Sequence, residues 1–454
     1  MTNDAHNLSE KKLFNDCIHG HFVLPPLCVA IIDTGVFQRL RNIKMLGLGY
    51  YVYPGACHNR FEHSLGVSYL AGKMVDALNN NHLESEIKIR PFEKLCLQVA
   101  GLCHDLGHGP FSHSWEKFIN AASNDNWKHE DMSVSLLDLV LATERVDREF
   151  RSSGLEEKHK IFIKDLILGK KDNESDRDFL FQIICNNETG IDVDKWDYLL
   201  RDGKQLNINV TFDPHRLMKC VRIVKVSEKY HICYRKKEQI NIFHMYMMRA
   251  ELHRIAYQHP VVKMIEEMWL DAMKEANSNG YSFKGLKLGE IHTNPTIYSS
   301  LTDHIFQDIL CSEDEKYFQA RKLLERIQTR RLYKMIHRTP LTNQDGKENL
   351  SKIIKCTEMK RMKNPTLDLY VTSLELEMPD LGKSVYLYDK GNLNVAKSEK
   401  NWLTVPVFPY DMSQMKRFEI FHFCKKPESL ISSEMKSLNE RVSEILSECS
   451  DQTL

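Results

Sequence analysis

Neither sign of charge prevails in this 454-residue chain: 62 lysines and arginines balance 62 aspartates and glutamates. That excludes binding of nucleic acid or membrane through bulk basic charge, though not through a local basic patch. The composition, 27% charged and 42% hydrophobic, also lacks the low hydrophobicity and high net charge of a disordered chain. No CxxC pair occurs among the twelve cysteines, which are scattered from Cys17 to Cys449. A disulfide framework belongs to short secreted chains. No apolar run approaches the roughly 18 residues of a membrane span. The polar start Met1-Thr2-Asn3-Asp4 offers no signal-peptide core. A reducing compartment, nuclear or cytosolic, and no membrane partner are therefore expected. Solenoid-type repeats are missing as well. At roughly 150 residues per domain, the length suits about three domains or one large one.

Helical periodicity dominates the first two-thirds. Val67, Leu70, Ala71, Met74, Val75 and Leu78 recur at helical spacing, as do Leu95, Val99, Leu102 and Leu106 before Gly107, Gly109 and Pro110. Asp131 to Leu141 and Lys160 to Leu168 read as further helices, and Phe243 to Glu275 as one or two long ones. Glu156 to Asp178 is charge-dense and reaches a surface loop, while Ser278 to Leu288 is a connection. After about Arg338 the character changes. A polar, basic stretch to Asn364 precedes strand-like runs at Leu367 to Val371, Val385 to Tyr388 and Phe418 to Phe423, and Ser433 to Leu446 reads as a closing helix. The fold class expected is mainly α, an all-helical core with a smaller C-terminal α+β lobe.

Of the 20 histidines, position matters more than number. His104-Asp105 ends an apolar helix, His63 precedes it in Asn59-Arg60-Phe61-Glu62-His63-Ser64, and Asp194 follows in Ile191-Asp192-Val193-Asp194-Lys195-Trp196-Asp197-Tyr198. Two imidazoles and two carboxylates suit zinc, iron, manganese or nickel, whereas calcium takes more oxygens. A His-Asp dipeptide alone is usually a helix cap; the ordered set, with His108, His113 and His129 nearby, is far more specific. Asp194, Tyr198 and Asp202 stand at i, i+4 and i+8, beside Lys195, and Arg249, His253 and Tyr257 repeat the spacing. Met248, Leu252 and Ile255 are expected on the opposite, core side. An arginine-histidine-tyrosine stripe fits a polyanion bearing a ring; its bland reading is an exposed polar face.

The segments Asn59 to Gly66, Leu102 to His113 and Gly190 to Tyr198 resemble the HD superfamily of metal-dependent phosphohydrolases, and within it the vertebrate sterile-alpha-motif and HD-domain deoxynucleoside triphosphate triphosphohydrolases. The likeness covers nearly the whole chain. It implies an N-terminal activator segment at 1–57, an HD domain at 58–200, a helical extension at 201–338 and a C-terminal lobe at 339–454. The sterile-alpha-motif module and part of the C-terminal tail are expected to be lacking. The resemblance makes His63, His104, Asp105 and Asp194 the ligands of one transition metal, zinc or iron, and brings magnesium with bound nucleotides. It assigns proton transfer to His113, supported by Glu116 and His129, with His108 nearby. Arg60, Lys195, Tyr198 and Arg249 would hold a triphosphate, Asp202 and Leu46 the sugar, and Tyr257, with His253 and Gln258, the sugar and base. Met45 stands where relatives carry glutamine.

The same likeness implies activation by GTP or dGTP read by Asp33, Gln38 and Arg41, with Arg330 and Lys334, i and i+4 on a basic helix, on its phosphates. A second, dNTP activator would use Asn15, Val52, Tyr53, Arg216, Arg235, Lys237 and His259, and Lys12, Leu13 and Lys425 complete the activator set. Pro260 replaces a lysine of relatives. The implied assembly is a homotetramer. The implied role is hydrolysis of dNTP to deoxynucleoside and triphosphate, limiting dNTP pools in the nucleus, with antiviral restriction and innate immunity as the setting. Two other readings stand beside it: an HD phosphodiesterase on another nucleotide, and a single-stranded nucleic-acid binder using the basic run Lys352 to Lys363.

Overall fold

The structure, a computed structural model, describes residues 12–82, 87–123, 125–171, 176–341, 369–375, 385–398, 418–424 and 440. Its strands, in chain order, are β1 (Leu13–Asp16), β2 (Gly20–Val23), β3 (Val221–Val226), β4 (Lys229–Arg235), β5 (Ser282–Phe283), β6 (Leu286–Lys287), β7 (Lys334–Leu341), β8 (Leu369–Glu375), β9 (Tyr386–Asp389), β10 (Asn392–Ser398) and β11 (Phe418–Cys424). The rest of the described backbone with regular structure is mainly helical, as the periodicity predicts.

The chain divides into two compact units. The first comprises Met1–Leu252, Gly280–Asp308 and Pro379–Trp402. Its centre is the helix Arg60–Asn80 packed on the helix Pro91–Cys103. The predicted stripe is buried throughout: Val67, Leu70, Ala71, Val75 and Leu78 are fully enclosed, and Met74 nearly so. Burying each large apolar side chain is worth about 1.5–3 kcal/mol, so this face anchors the helix. Asn59 and Glu62 form a reciprocal capping box that fixes where it starts, one residue before Arg60. The second helix begins on Pro91 and ends at Cys103, earlier than the pattern to Leu106 suggests. His104 then occupies the helix end, and Leu106 is buried in the turn that follows.

The helix Val193–Gln205 also packs on Arg60–Asn80, and Gly66 is the point of closest approach. A Cβ there would lie 1.8 Å from Asp197 Oδ1. Gly107 meets a similar demand, since a Cβ would fall 1.9 Å from the His129 carbonyl oxygen. The predicted helices at Asp131 and Lys160 extend back to His129–Leu141 and Glu157–Leu168.

Strands within the first two-thirds escaped the periodicity. β1 and β2 make an antiparallel hairpin, with Leu13 opposite Val23 and Asp16 opposite Gly20. β3 and β4 make another, and β9 then pairs in parallel with β4, giving the sheet order β10-β9-β4-β3. Val224, Cys233, Tyr388 and Ala396 form its own small core. β5 and β6 interrupt the expected connection at Ser278 to Leu288.

The second unit comprises His253–Asn279, Ile309–Met378 and Leu403–Leu454. Its helices Pro260–Ser278 and Phe318–Gln328 pack together, and Met268 and Trp269 are fully buried. β11 runs antiparallel between β7 and β8, which bears out the strand readings over Leu369 to Val371 and Phe418 to Phe423, Leu367 and Asp368 lying outside the described residues. The expected helix Ser433 to Leu446, the basic run Lys352 to Lys363 and Lys425 lie outside the described residues.

Candidate metal centre and phosphate pocket

Three helices supply the donors. His63 comes from the first turn of Arg60–Asn80, His104 and Asp105 from the end of Pro91–Cys103, and Asp194 from the first turn of Val193–Gln205. Asp194 Oδ1 lies 3.1 Å from His63 Nε2 and 3.5 Å from His104 Nε2. Asp105 stands 3.5 Å from His63 Nε2 and 3.4 Å from His104 Nε2. Such spacings are those of ligands about 2.0–2.2 Å from a shared cation. Both Nε2 atoms are buried without a hydrogen-bond partner of normal geometry among the described residues. His104 and Asp194 remain 14% and 26% exposed, so the set is open on one side.

Electrostatics point the same way. Burial opposes charge on His63, yet the neighbouring carboxylates of Asp194 and Asp197 raise it to about 10. His104 is raised against its burial by Asp105 and Asp194. Burial would push Asp105 up, but Arg60 and the surrounding histidines hold it well below the usual carboxylate range. The carboxylates thus set up a negative potential at both imidazoles, where a divalent cation can take the place of the ring protons, and the nitrogen and oxygen donors fit a transition metal. Behind it stands a second layer. His63 Nδ1 donates to Asp197 Oδ2 at 2.8 Å, and His104 Nδ1 lies 2.8 Å from the Gly101 carbonyl oxygen. Each ring therefore turns Nε2 to the centre.

His108, His113 and His129 gather beside it, with the His108 and His129 rings stacked at 3.8 Å. His129 Nδ1 is 2.6 Å from Glu116 Oε2. His113 is the exposed member of the three, and desolvation at this crowded edge, then the neighbouring His129 and Arg60, hold it below the ordinary histidine value. That direction is opposite to the one expected of a proton donor poised near neutrality. Bound negative charge acts in the opposite direction.

Arg60 is buried, paired with Asp105, and donates through Nε to Ser112 Oγ at 2.8 Å. Ser112 and Phe111 both hold positive φ, 60° and 55°, a strain tolerated where the surroundings fix it. Ser112 Oγ donates to the Lys44 carbonyl, and Asp303 Oδ1 accepts from Phe111 N. Lys195 donates to Asp192 Oδ2 at 2.9 Å. Tyr198 is pushed up to about 12 by burial, against Lys195 and Arg249. Asp202 accepts from His58 at 2.6 Å. Leu46 caps the short helical turn Gly47–Tyr51.

The Arg249 stripe is not one continuous α-helix. The helix Gln239–Leu252 gives way to a π-helical turn at His253–Tyr257, a feature often found at functional sites. Arg249 belongs to the first unit; His253, Tyr257 and Gln258 belong to the second. There the His253 and Tyr257 rings are 4.8 Å apart. Met248 and Leu252 are buried as expected, but Ile255 is 38% exposed because the π turn rotates it outward.

The expected activator residues are distributed over both units. Asp33 pairs with Lys12 at 2.6 Å and Arg145 at 3.1 Å. Gln38 donates to the Ile32 carbonyl, and Arg41 donates to Gln38 and lies over the Phe61 ring. Leu13 and Asn15 are on β1, and Val52 and Tyr53 follow Gly47–Tyr51. Arg216 pairs with Glu238; Arg235 ends β4 and Lys237 lies in the turn after it. His259, Arg330 and Lys334 belong to the second unit. His259 caps the helix that Pro260 opens, a position that favours proline. The expectation that Arg330 and Lys334 share a basic helix is corrected. That helix ends at Gln328, Arg330 has a φ of 59°, and Lys334 starts β7.

The sequence reading missed Asp197, Arg201, His19 and His58. Only the i, i+4 pairing of Asp197 with Arg201 was available as a signal.

Comparison with known proteins agrees with this geometry. The HD domain model matches residues 60–202, which hold the four donors. The chain is 43% identical over 352 residues to human deoxynucleoside triphosphate triphosphohydrolase SAMHD1, covering 73% of this chain and 56% of that protein. The Bos taurus protein of that name is 40% identical over 412 residues, covering 86% and 68%. The Dictyostelium discoideum SAMHD1 homolog is 37% identical over 337 residues, covering 74% and 62%. The chain spans just over half the length of the human and Xenopus laevis relatives. With this identity over two-thirds of the Bos taurus protein, the chain belongs to the SAMHD1 family of HD-domain proteins.

Proposed function

We propose that the chain is a metal-dependent dNTP triphosphohydrolase that releases deoxynucleoside and inorganic triphosphate. The observation carrying this reading is the convergence of His63, His104, Asp105 and Asp194, with neither histidine Nε2 given a hydrogen-bond partner among the described residues. A divalent cation bound there supplies charge neutralisation to phosphate oxygens and acidifies water. Lys195, Tyr198 and Arg249 share electrostatic contact and so can receive a polyanion together. Arg60, held by Asp105 and Ser112, adds charge that stabilises the transition state without moving. Bound negative charge raises the proton affinity of His113, and the Glu116–His129 pair beside it can exchange a proton with it. Asp202, fixed by His58, offers a carboxylate to a sugar hydroxyl. His253, Tyr257 and Gln258 are assigned to the sugar and base by family likeness.

The rest of the reading follows the family. Zinc or iron is the metal and magnesium accompanies the nucleotides. GTP or dGTP and a dNTP activate by assembling a homotetramer, and the setting is control of nuclear dNTP pools, with antiviral and innate-immune consequences. No helix among the described residues is long and apolar enough to cross a membrane. The deciding experiment is product analysis with dGTP and dATP, with and without GTP. Triphosphate and deoxynucleoside are expected; dNDP or dNMP would replace this reading with that of another HD phosphodiesterase.

A further inference from the structure

The β1–β2 turn reaches the rear of the metal cluster. His19 Nε2 lies 2.7 Å from Asp197 Oδ1, whose Oδ2 accepts from His63 Nδ1 at 2.8 Å. Arg201 grips the same carboxylate through two bonds of 2.9 Å and reaches Asp16 Oδ2 at 2.8 Å. Asp16 Oδ1 in turn accepts from the backbone N–H groups of Ile18 and His19, so it sets the turn itself. The whole arm is enclosed: the His19 and Asp197 side chains are 0% exposed, Arg201 1% and Asp16 7%. The His19 ring also packs 5.5 Å from that of Tyr69, one of the residues of the His63 helix.

A carboxylate has about four acceptor sites. Asp197 fills them with His63, His19 and the two bonds from Arg201. Acting only as an acceptor, it fixes His63 as the Nδ1–H tautomer with the Nε2 lone pair aimed at the metal position. Deleting the His19 donor leaves a buried carboxylate oxygen short of one partner, free to swing and to take His63 with it.

We propose that His19, backed by Asp16 through Arg201, is a positioning residue for the metal ligand His63, so that the N-terminal hairpin is part of the metal centre's supporting layer. The inference rests on His63 being a ligand. The test uses the full chain loaded with zinc, read by chelator competition, and with Co(II), read by its absorption spectrum. His19→Ala should weaken zinc binding 10–100-fold and alter the Co(II) bands when read below its own, lowered melting transition. His19→Gln, whose amide nitrogen can replace Nε2–H, should restore affinity to within about threefold. Asp16→Asn, which keeps the turn bonds but loses the Arg201 pair, should weaken zinc binding in the same direction and decides the matter if His19→Ala does not fold. Wild-type affinity in folded His19→Ala, or in Asp16→Asn, overturns the proposal; so does a glutamine variant as weak as alanine. A His104→Ala/Asp105→Ala control that keeps its zinc would overturn the ligand set instead.

Discussion

The Arg60 guanidinium and the Asp105 carboxylate form an ion pair in the interior, their side chains 5% and 6% exposed. The proposed function gives this arginine two roles, holding Asp105 and meeting substrate phosphate, and substitution can separate them.

Arg60→Ala strands a buried carboxylate, and breaking such a pair costs about 3–5 kcal/mol. The expected result is a lower melting temperature, reduced metal content and at least a 100-fold fall in kcat/KM. Arg60→Lys keeps the charge but loses the fork that spans Asp105 and Ser112, and is expected to fall in between. Wild-type melting and metal content in Arg60→Ala would show that the guanidinium serves only the substrate.

Replacing both His104 and Asp105 with alanine should abolish stoichiometric metal and all hydrolysis, as metal analysis and product assay would show. Retained metal in that variant removes these residues from the ligand set.

Gly66→Ala forces a methyl group to within 1.8 Å of Asp197 Oδ1. Overpacking of this kind costs about 1–3 kcal/mol, and here it displaces the carboxylate that orients His63. Metal affinity should fall by more than stability alone accounts for, which chelator competition below the melting transition can resolve.

His82 gives a pH prediction away from the site. Its Nε2 accepts from Ile223 N, and burial, reinforced by Arg222, lowers its pKa from 6.5 to about 4. The folded state therefore binds fewer protons than the unfolded state between these values. Stability from this group is present above pH 6.5 and is lost as pH falls towards 4. A loss of about 2 kcal/mol is expected by pH 5, and His82→Gln, which can still accept through Oε1, should flatten that slope in denaturant titrations.

The residues proposed as metal donors were legible in the sequence because each sits at a helix end, where His104-Asp105 and His63 interrupt strongly periodic apolar faces. Val67 to Leu78 could be placed in the core for the same reason. His19 could not be found that way: it is 178 residues from Asp197, in a short hairpin without apolar alternation. The break after Leu252 was hidden as well, since Arg249, His253 and Tyr257 match α-helical spacing, and a π turn leaves no mark in such a pattern. Arg330 failed for a local reason, its left-handed backbone just beyond a helix that the charges alone seemed to extend.

The parallel pairing of β4 with β9 has a bearing on how the chain matures. A ribosome has made all four proposed metal donors by residue 194, yet Leu387 and Tyr388 are translated about 150 residues after Tyr234 and Arg235, the residues they pair with. Until then one edge of β4 is an open template for other strands. Nascent or truncated chains that stop short of β9 should thus be the aggregation-prone species, and expression boundaries drawn after Asp308 would keep every metal donor but release a protein with that edge uncovered.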